Sequence, residues 1–300
     1  MSVSPPVLPA LPGMLARAVP TVVRSRRKLE SDPADLHATF RTGSIDISQL
    51  NAYRQQFGGF ISDIPLTYFY LIAQRAHLAI MLTDDFPWPV LGMVHVANRM
   101  EWVDEVKQDL PFELEVSIKM PARAATKKRV RPVYQVTFRQ NGKDVVSCQS
   151  VYQTEAKEKK PKQRSRTLPA PDLHGLSRAA QWQMTSATGR SYARLSGDYN
   201  PIHLHSWLSR WFGFERPIIH GMYSVGRAQA DIERVTGRPV KMMDIGFRRP
   251  LILPAEALCW HTPFESESPA EANNELQNTG RVVVTNARQD KSFLEGEFQV

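Results

Sequence analysis

Two stretches of the chain carry apolar residues at helical spacing, and each is followed by shorter runs of strand-like pattern. "PLTYFYLIAQRAHLAIMLT" (Pro65 to Thr83) is apolar on most faces, which predicts a buried helix, and Pro65 suits its first turn. "HGMYSVGRAQADIERVTG" (His220 to Gly237) predicts a second helix, with Gly237 as its C-terminal stop. After the first come "GMVHVANRMEWV", "FELEVSIKM", "VYQVTFRQ" and "DVVSCQSVYQTEA", the last two joined by the hairpin signal "NGK". After the second come "VKMMDIGFRRPLI", "ALCWHTPF", "TGRVVVTNARQ" and "SFLEGEFQV". One helix covers that many strands only if the sheet curls around it. The expected fold class is therefore α+β, with an antiparallel sheet wrapped on a central helix, twice over.

The two halves read as a diverged repeat. "QLNAYRQQFGGF" holds Tyr53 and Gly58, and "TGRSYARLSGDY" holds Tyr192 and Gly197 at the same separation. The charged, proline-bearing stretch Glu155 to Gly175 reads as the linker between them. The expected domains are an irregular N-terminal arm (1–39), a first domain (40–154), the linker (155–175) and a second domain (176–300).

Composition narrows the class. A hydrophobic content of 42% builds real cores, and 23% charged residues is ordinary for a water-soluble domain. No apolar run approaches the roughly 20 residues that span a bilayer. The proline-rich N-terminus does not read as a secretory signal. Two cysteines, Cys148 and Cys259, argue for a reducing compartment, so a cytoplasmic location is expected. The net charge of +8 points to an anionic partner. Its clusters, "RSRRK", "ATKKRVR" and "KEKKPKQRSR", come without a recognition helix or zinc-finger spacing, which disfavours nucleic acid.

The chemistry concentrates in "SGDYNPIHLH" (Ser196 to His205). Pro201 suits the first position of a short helix, and Asn200 would then be its N-cap. His203 falls in the first turn, and Asp198 just before it. An Asp beside a His orients the ring for proton transfer, and the two together can hold a water. Asp198, His203, His205 and His220 are also metal-ligand types, but their spacing offers no i, i+4 pair of histidines, so no metal is expected. Ser196 lacks a nucleophile-elbow sequence. Gly221 opens the second predicted helix. Its bare N–H could meet a carbonyl oxygen that gains negative charge, or it could simply permit close packing on the sheet.

"YARLSGDYNPIHLHSWLSRWFGFERPIIHGM" (Tyr192 to Met222) resembles the signature of the MaoC-like dehydratases, the group of the (R)-specific enoyl-CoA hydratases. "FPWPVLGMVHVANRMEW" (Phe86 to Trp102) resembles the degenerate first domain of their double-domain members. The resemblance implies two hot-dog domains in one chain, a fused double hot dog. It implies reversible hydration of trans-2-enoyl thioesters to (3R)-hydroxyacyl thioesters. It places the catalytic pair on Asp198 and His203, and substrate contacts on Asn200 and Gly221. No cofactor is implied beyond the coenzyme A or acyl carrier protein that bears the substrate. Lys127, Lys128, Arg129, Arg248 and Arg249 are candidate contacts for that carrier, with Arg248 and Arg249 preferred. Aligning the halves sets Gly59, Ile61 and Ile64 opposite Asp198, Asn200 and His203, so the first half is expected to keep the fold without the chemistry. Its expected role is to widen room for the acyl tail or to serve as a structural partner. A homodimer is an open expectation. The alternatives are a thioester hydrolase of the same fold and a non-catalytic acyl-thioester binder.

Overall fold

The computed structural model describes residues 4–26, 31–122, 129–155, 168–264 and 278–300. The chain separates into two compact units. The first comprises Met1–Asp46, Phe69–Asn98 and Trp102–Thr167, and the second Ile47–Tyr68, Arg99–Glu101 and Leu168–Val300. Both are hot dogs, an antiparallel sheet with one central helix. Ile47–Tyr68, expected in the first domain, groups with the second unit.

In the first unit the central helix is α3 (Tyr70–Met81), entered through a 3-10 turn at Leu66–Phe69. Nine of its twelve residues are buried, among them Leu71, Ile72, Ala73 and Ala76, as its all-round apolar pattern requires. The strands are β1 (Leu36–Thr42), β2 (Val94–Trp102), β3 (Phe112–Lys119), β4 (Arg129–Val130), β5 (Val133–Gln140) and β6 (Lys143–Glu155). They lie in the order β1-β3-β5-β6-β2, with the short β4 paired to β6. In β3 the strict alternation of "FELEVSIK" buries Phe112, Leu114, Val116 and Ile118 on one face. Asn141 and Gly142 take positive φ (50° and 77°) and turn the β5–β6 hairpin.

The segment read as an irregular arm is ordered and packed. It forms helix α1 (Leu11–Ala18), a 3-10 stretch at Val19–Arg26, and part of β1. Leu8 N–H bonds Arg41 O at 2.8 Å, Met14 and Ala18 are buried, and Arg24 donates to Met81 O at 2.8 Å. The prolines that broke the sequence pattern sit before the strand and at the first turn of α1, where no helical N–H is lost. Residues 156–167 of the expected linker lie outside the described residues.

In the second unit the strands are β7 (Ser177–Met184), β8 (Met242–Phe247), β9 (Ala255–His261), β10 (Thr279–Asn286) and β11 (Ser292–Gln299). They pair antiparallel in the order β8-β11-β10-β9-β7. The central helix is α6 (Gly221–Thr236), closed by Gly237 at φ 67°. Two further helices, α2 (Ile47–Phe57) and α4 (Thr188–Ser196), belong to this unit, and α4 follows β7. The sequence pattern missed β7 because only Trp182 and Met184 of its eight residues are buried.

A buried polar chain ties residues 53–67 to α6. Tyr53 OH donates to Thr67 Oγ1 (2.9 Å), which donates to Gln229 Oε1 (2.7 Å). Gln229 Nε2 donates to Glu233 Oε1 at 2.8 Å. The fully buried Glu233 carboxylate also accepts from the N–H groups of Ile61 (2.7 Å), Ser62 (2.9 Å) and Val240 (3.1 Å). Buried this deeply, the carboxylate is tolerable only because these donors replace water. Gly226 makes room for the assembly, since a Cβ there would lie 2.5 Å from Tyr53 OH.

Candidate active site

The site is built at the junction of α4, the turn that follows it, and the start of α6. Helix α4 ends where Gly197 turns left-handed (φ 75°) and its N–H bonds Ala193 O. Ser196 Oγ donates to Tyr192 O (2.8 Å) and accepts from Asp198 N–H (3.2 Å), so this hydroxyl is committed to the backbone. Asp198 Oδ1 accepts from Asn200 N–H at 3.1 Å, a local turn that sets the carboxylate. Asn200 caps the 3-10 turn Pro201–His203, its Oδ1 3.5 Å from Ile202 N. Gly189 lets this turn rest on α4, because a Cβ there would lie 2.5 Å from the His203 carbonyl oxygen.

The second wall is extended. Ile218 bridges Ile252, Ile219 N–H bonds Leu251 O (2.9 Å), and Leu253 N–H bonds Pro217 O (2.8 Å). Ile218 then hooks the Pro201–His203 turn twice. Its N–H donates to Ile202 O at 3.1 Å, and its carbonyl accepts from His203 Nδ1 at 2.8 Å. A carbonyl only accepts, so Nδ1 of the neutral ring carries the proton and Nε2 keeps a lone pair. Burial pushes His203 below the usual histidine range, against the opposing pull of Asp198 and the Ile218 hydrogen bond.

His220 completes the cluster. Its ring stacks on His203, centroids 3.7 Å apart at 26°, and meets Tyr192 edge-on at 5.0 Å. Its Nε2 donates to the Asp198 carbonyl at 2.9 Å and lies 4.0 Å from the Asp198 carboxylate. Burial, with His203 beside it, takes its pKa down to about 3, so it is neutral wherever the protein works. Donor atoms of Asp198, His203 and His220 all lie within 4.8 Å of one another. They are metal-ligand types, but one ion needs both imidazole lone pairs to converge in their ring planes. Two stacked rings do not converge, so a metal would have to pull them apart. Atoms within 4.8 Å of one another are close enough for one water, with hydrogen bonds of about 2.8 Å, to bridge them.

Gly221 is the first residue of α6, and His220 provides no side-chain cap. Its N–H therefore stands among the unpaired donors at the positive end of a sixteen-residue helix. A Cβ at this position would lie 2.7 Å from the Phe247 ring on β8, so close packing is also a reason for glycine here.

Asp198, His203 and His220 thus lie together, Gly221 follows His220 at the start of α6, and Asn200 shapes the turn. His205 is exposed beside them. From sequence His220 was weighed only as a metal-ligand type, and Gly189 was not singled out, standing in a helix that sequence pattern did not predict. The preferred carrier contacts lie at the surface with partners of their own. Arg248 pairs with Glu295 at 3.0 Å, and Arg249 donates to Ser292 O (3.2 Å) and Leu168 O (3.1 Å). Lys127 and Lys128 lie outside the described residues, as does the side chain of Arg129. Both cysteines are buried, and burial pushes Cys148 up to about 12, which makes it inert as a nucleophile.

Residues 169–256 match the MaoC-like domain family, a span that contains every group of this cluster. The part of the chain that holds the cluster is thus similar to that family. The chain is 28% identical over 224 residues to the 3-hydroxyacyl-thioester dehydratase X of Mycobacterium tuberculosis, covering 71% of this chain and 75% of that protein. It is 30% identical over 115 residues to the mouse peroxisomal multifunctional enzyme type 2, covering 35% of this chain and 15% of that longer protein. The crystal structure of HtdX from M. tuberculosis superposes with a TM-score of 0.67 at 19% identity, covering 88% of this chain and 99% of that one. This superposition shows the same fold, the hot dog. Among the described residues no helix is long and apolar enough to cross a membrane.

Proposed function

We propose that the protein is a hydro-lyase that interconverts trans-2-enoyl and (3R)-3-hydroxyacyl thioesters in fatty-acid metabolism. The observation that carries this reading is one arrangement. A basic His203 Nε2 and the Asp198 carboxylate stand within reach of one water, beside the open N-terminus of α6.

The thioester carbonyl would accept a hydrogen bond from Gly221 N–H. As oxygen adds to the β-carbon, charge moves onto that carbonyl, and a donor aimed there is worth about 3 kcal/mol in the transition state. Asp198 accepts one hydrogen of the water and fixes its direction. His203 Nε2 takes the other proton, which returns to the α-carbon. Positioned acid–base help of this kind contributes about 10²- to 10⁴-fold. Because the water is held on one side of the double bond, a single face of the β-carbon is attacked, and one enantiomer forms. Asn200 serves by capping the turn that presents both groups. The carrier is coenzyme A or an acyl carrier protein.

The test is direct. The protein is mixed with crotonyl-CoA and with a longer enoyl-CoA, following loss of the conjugated absorbance, release of free thiol, and the chirality of the product. Absorbance loss without thiol, giving the (3R) product, supports the proposal. Free thiol identifies a hydrolase, and a (3S) product overturns the stereochemical assignment.

A further inference from the structure

The stretch His205–Arg216 directly follows the turn that holds His203, and the hydration chemistry makes no use of it. It carries helix α5 (Ser206–Arg210), which packs on that turn. Trp207 is 61% exposed and Trp211 80% exposed. Tryptophan is among the residues most buried on average, so two bare indoles need a reason. At i and i+4 they lie on one side of the helical stretch. The loop is also braced. Ser209 is fully buried, with its Oγ donating to Phe214 O at 3.1 Å and its carbonyl accepting from Phe214 N–H at 3.1 Å. The indoles are therefore held outward on a fixed frame.

Charge points to the class of ligand. Arg210 and Arg216 are exposed, and their guanidinium groups make no hydrogen bond or ion pair with any described residue. Some other arginines of this unit are committed, Arg190 to Ser186 O, Arg248 to Glu295 and Arg281 to Asp172. Aromatic faces interleaved with uncommitted guanidiniums suit a ligand that joins a heteroaromatic base to phosphates. Trp207 stands four residues beyond His203 and Trp211 eight, so at about 1.5 Å per helical residue both lie within a pantetheine arm's length of the site.

We infer that this loop docks the nucleotide half of coenzyme A, with Trp207 and Trp211 stacking on adenine and Arg210 and Arg216 pairing with the phosphates. The inference rests on the proposed thioester chemistry at Asp198 and His203, and it commits that chemistry to a coenzyme A carrier.

Two measurements on the full chain test it. The first is quenching of tryptophan emission by free coenzyme A and by pantetheine, which needs no turnover. Coenzyme A is expected to quench where pantetheine does not. W207A/W211A should abolish the quench, and R210A/R216A should weaken coenzyme A binding about tenfold. The second is the ratio of KM for an enoyl-CoA to KM for the same acyl group on pantetheine, expected to rise about tenfold in W207A/W211A. Equal quenching by both ligands would overturn the inference. So would an unchanged KM ratio, or a KM rise confined to the thioester of an acyl carrier protein. If the wild type hydrates neither thioester, the hydration reading falls, and the quench decides the docking surface alone.

Discussion

Two turns in the second unit start alike and end differently. Helix α2 stops at Gly58 (φ 66°), whose N–H bonds Arg54 O at 2.9 Å, and α4 stops at Gly197 (φ 75°), whose N–H bonds Ala193 O at 2.8 Å. A fully buried tyrosine, Tyr53 or Tyr192, precedes each glycine by five residues. Beyond them, Gly59, Ile61 and Ile64 stand where the other turn has Asp198, Asn200 and His203. The first turn gives its N–H groups to Glu233 near the end of α6. The second satisfies its own N–H groups locally and leaves a carboxylate and an imidazole lone pair facing the start of the same helix. One backbone device thus serves stability in one place and the proposed chemistry in the other, according to which polar groups remain uncommitted.

The sharpest way to break this contrast is Glu233→Ala. It strands three backbone donors and Gln229 in a buried space, and about 3 kcal/mol of stability should be lost, read from the denaturant midpoint. Asp198→Asn, by comparison, should hold its midpoint within about 1 kcal/mol, because the group is one third exposed. An Asp198→Asn protein as unstable as Glu233→Ala would erase the distinction.

Acid should be the next largest effect. His220, and His77 on α3 of the first unit, are both buried with a pKa near 3 against an ordinary 6.5. The unfolded chain takes up protons below pH 6.5 that the native state refuses. Stability is therefore full above that pH and falls as pH drops toward 3, by about 1.4 kcal/mol per pH unit for each histidine. Denaturation midpoints followed across this range check the slope. His77→Phe and His220→Phe should each remove one share.

His220→Phe should also lower kcat about tenfold by releasing the Asp198 carbonyl, a loss of about 1.4 kcal/mol. The acid limb of kcat/KM in the wild type should lie below pH 6.5, because burial holds His203 neutral. In His220→Ala that limb should move upward, as the unstacked His203 ring gains solvent. A lowered kcat with an unmoved limb would reduce His220 to a packing role.

The smallest predicted effect is shared by both turns. Gly58→Ala and Gly197→Ala should each cost about 1 kcal/mol, since both replace glycine at positive φ. Clearly unequal losses would argue against a common backbone device.

Much of this was readable from the sequence, and the rest failed for physical reasons. The alternation of β3 and the stop at Gly237 were plain, because period and cap are local properties. Asn200 as a cap beside Pro201 was equally local. Asp198 and His203 were placed as a pair by the resemblance of Tyr192 to Met222 to a family signature. His220 was legible only as a metal-ligand type, because its contacts depend on a stacking partner seventeen residues away. Glu233 looked like an ordinary polar position of an amphipathic helix, and only the return of residues 61–62 reveals it as buried. Gly189 and Gly226 matter through atoms brought close by folding, and no local signal marks them. The cross-strand and loop partners of Arg248 and Arg249 came into view only with the fold.

The central claim is that Asp198 and His203 act on one water as a unit. The most direct measurement is the hydration rate of an enoyl-CoA by wild type, Asp198→Asn, His203→Ala and the double variant, all with matched denaturation midpoints. Each single variant is expected to lose about 10²- to 10⁴-fold in kcat/KM, and the double variant little more than the worse single one. Full activity in either single variant, or losses that simply multiply in the double, would contradict it.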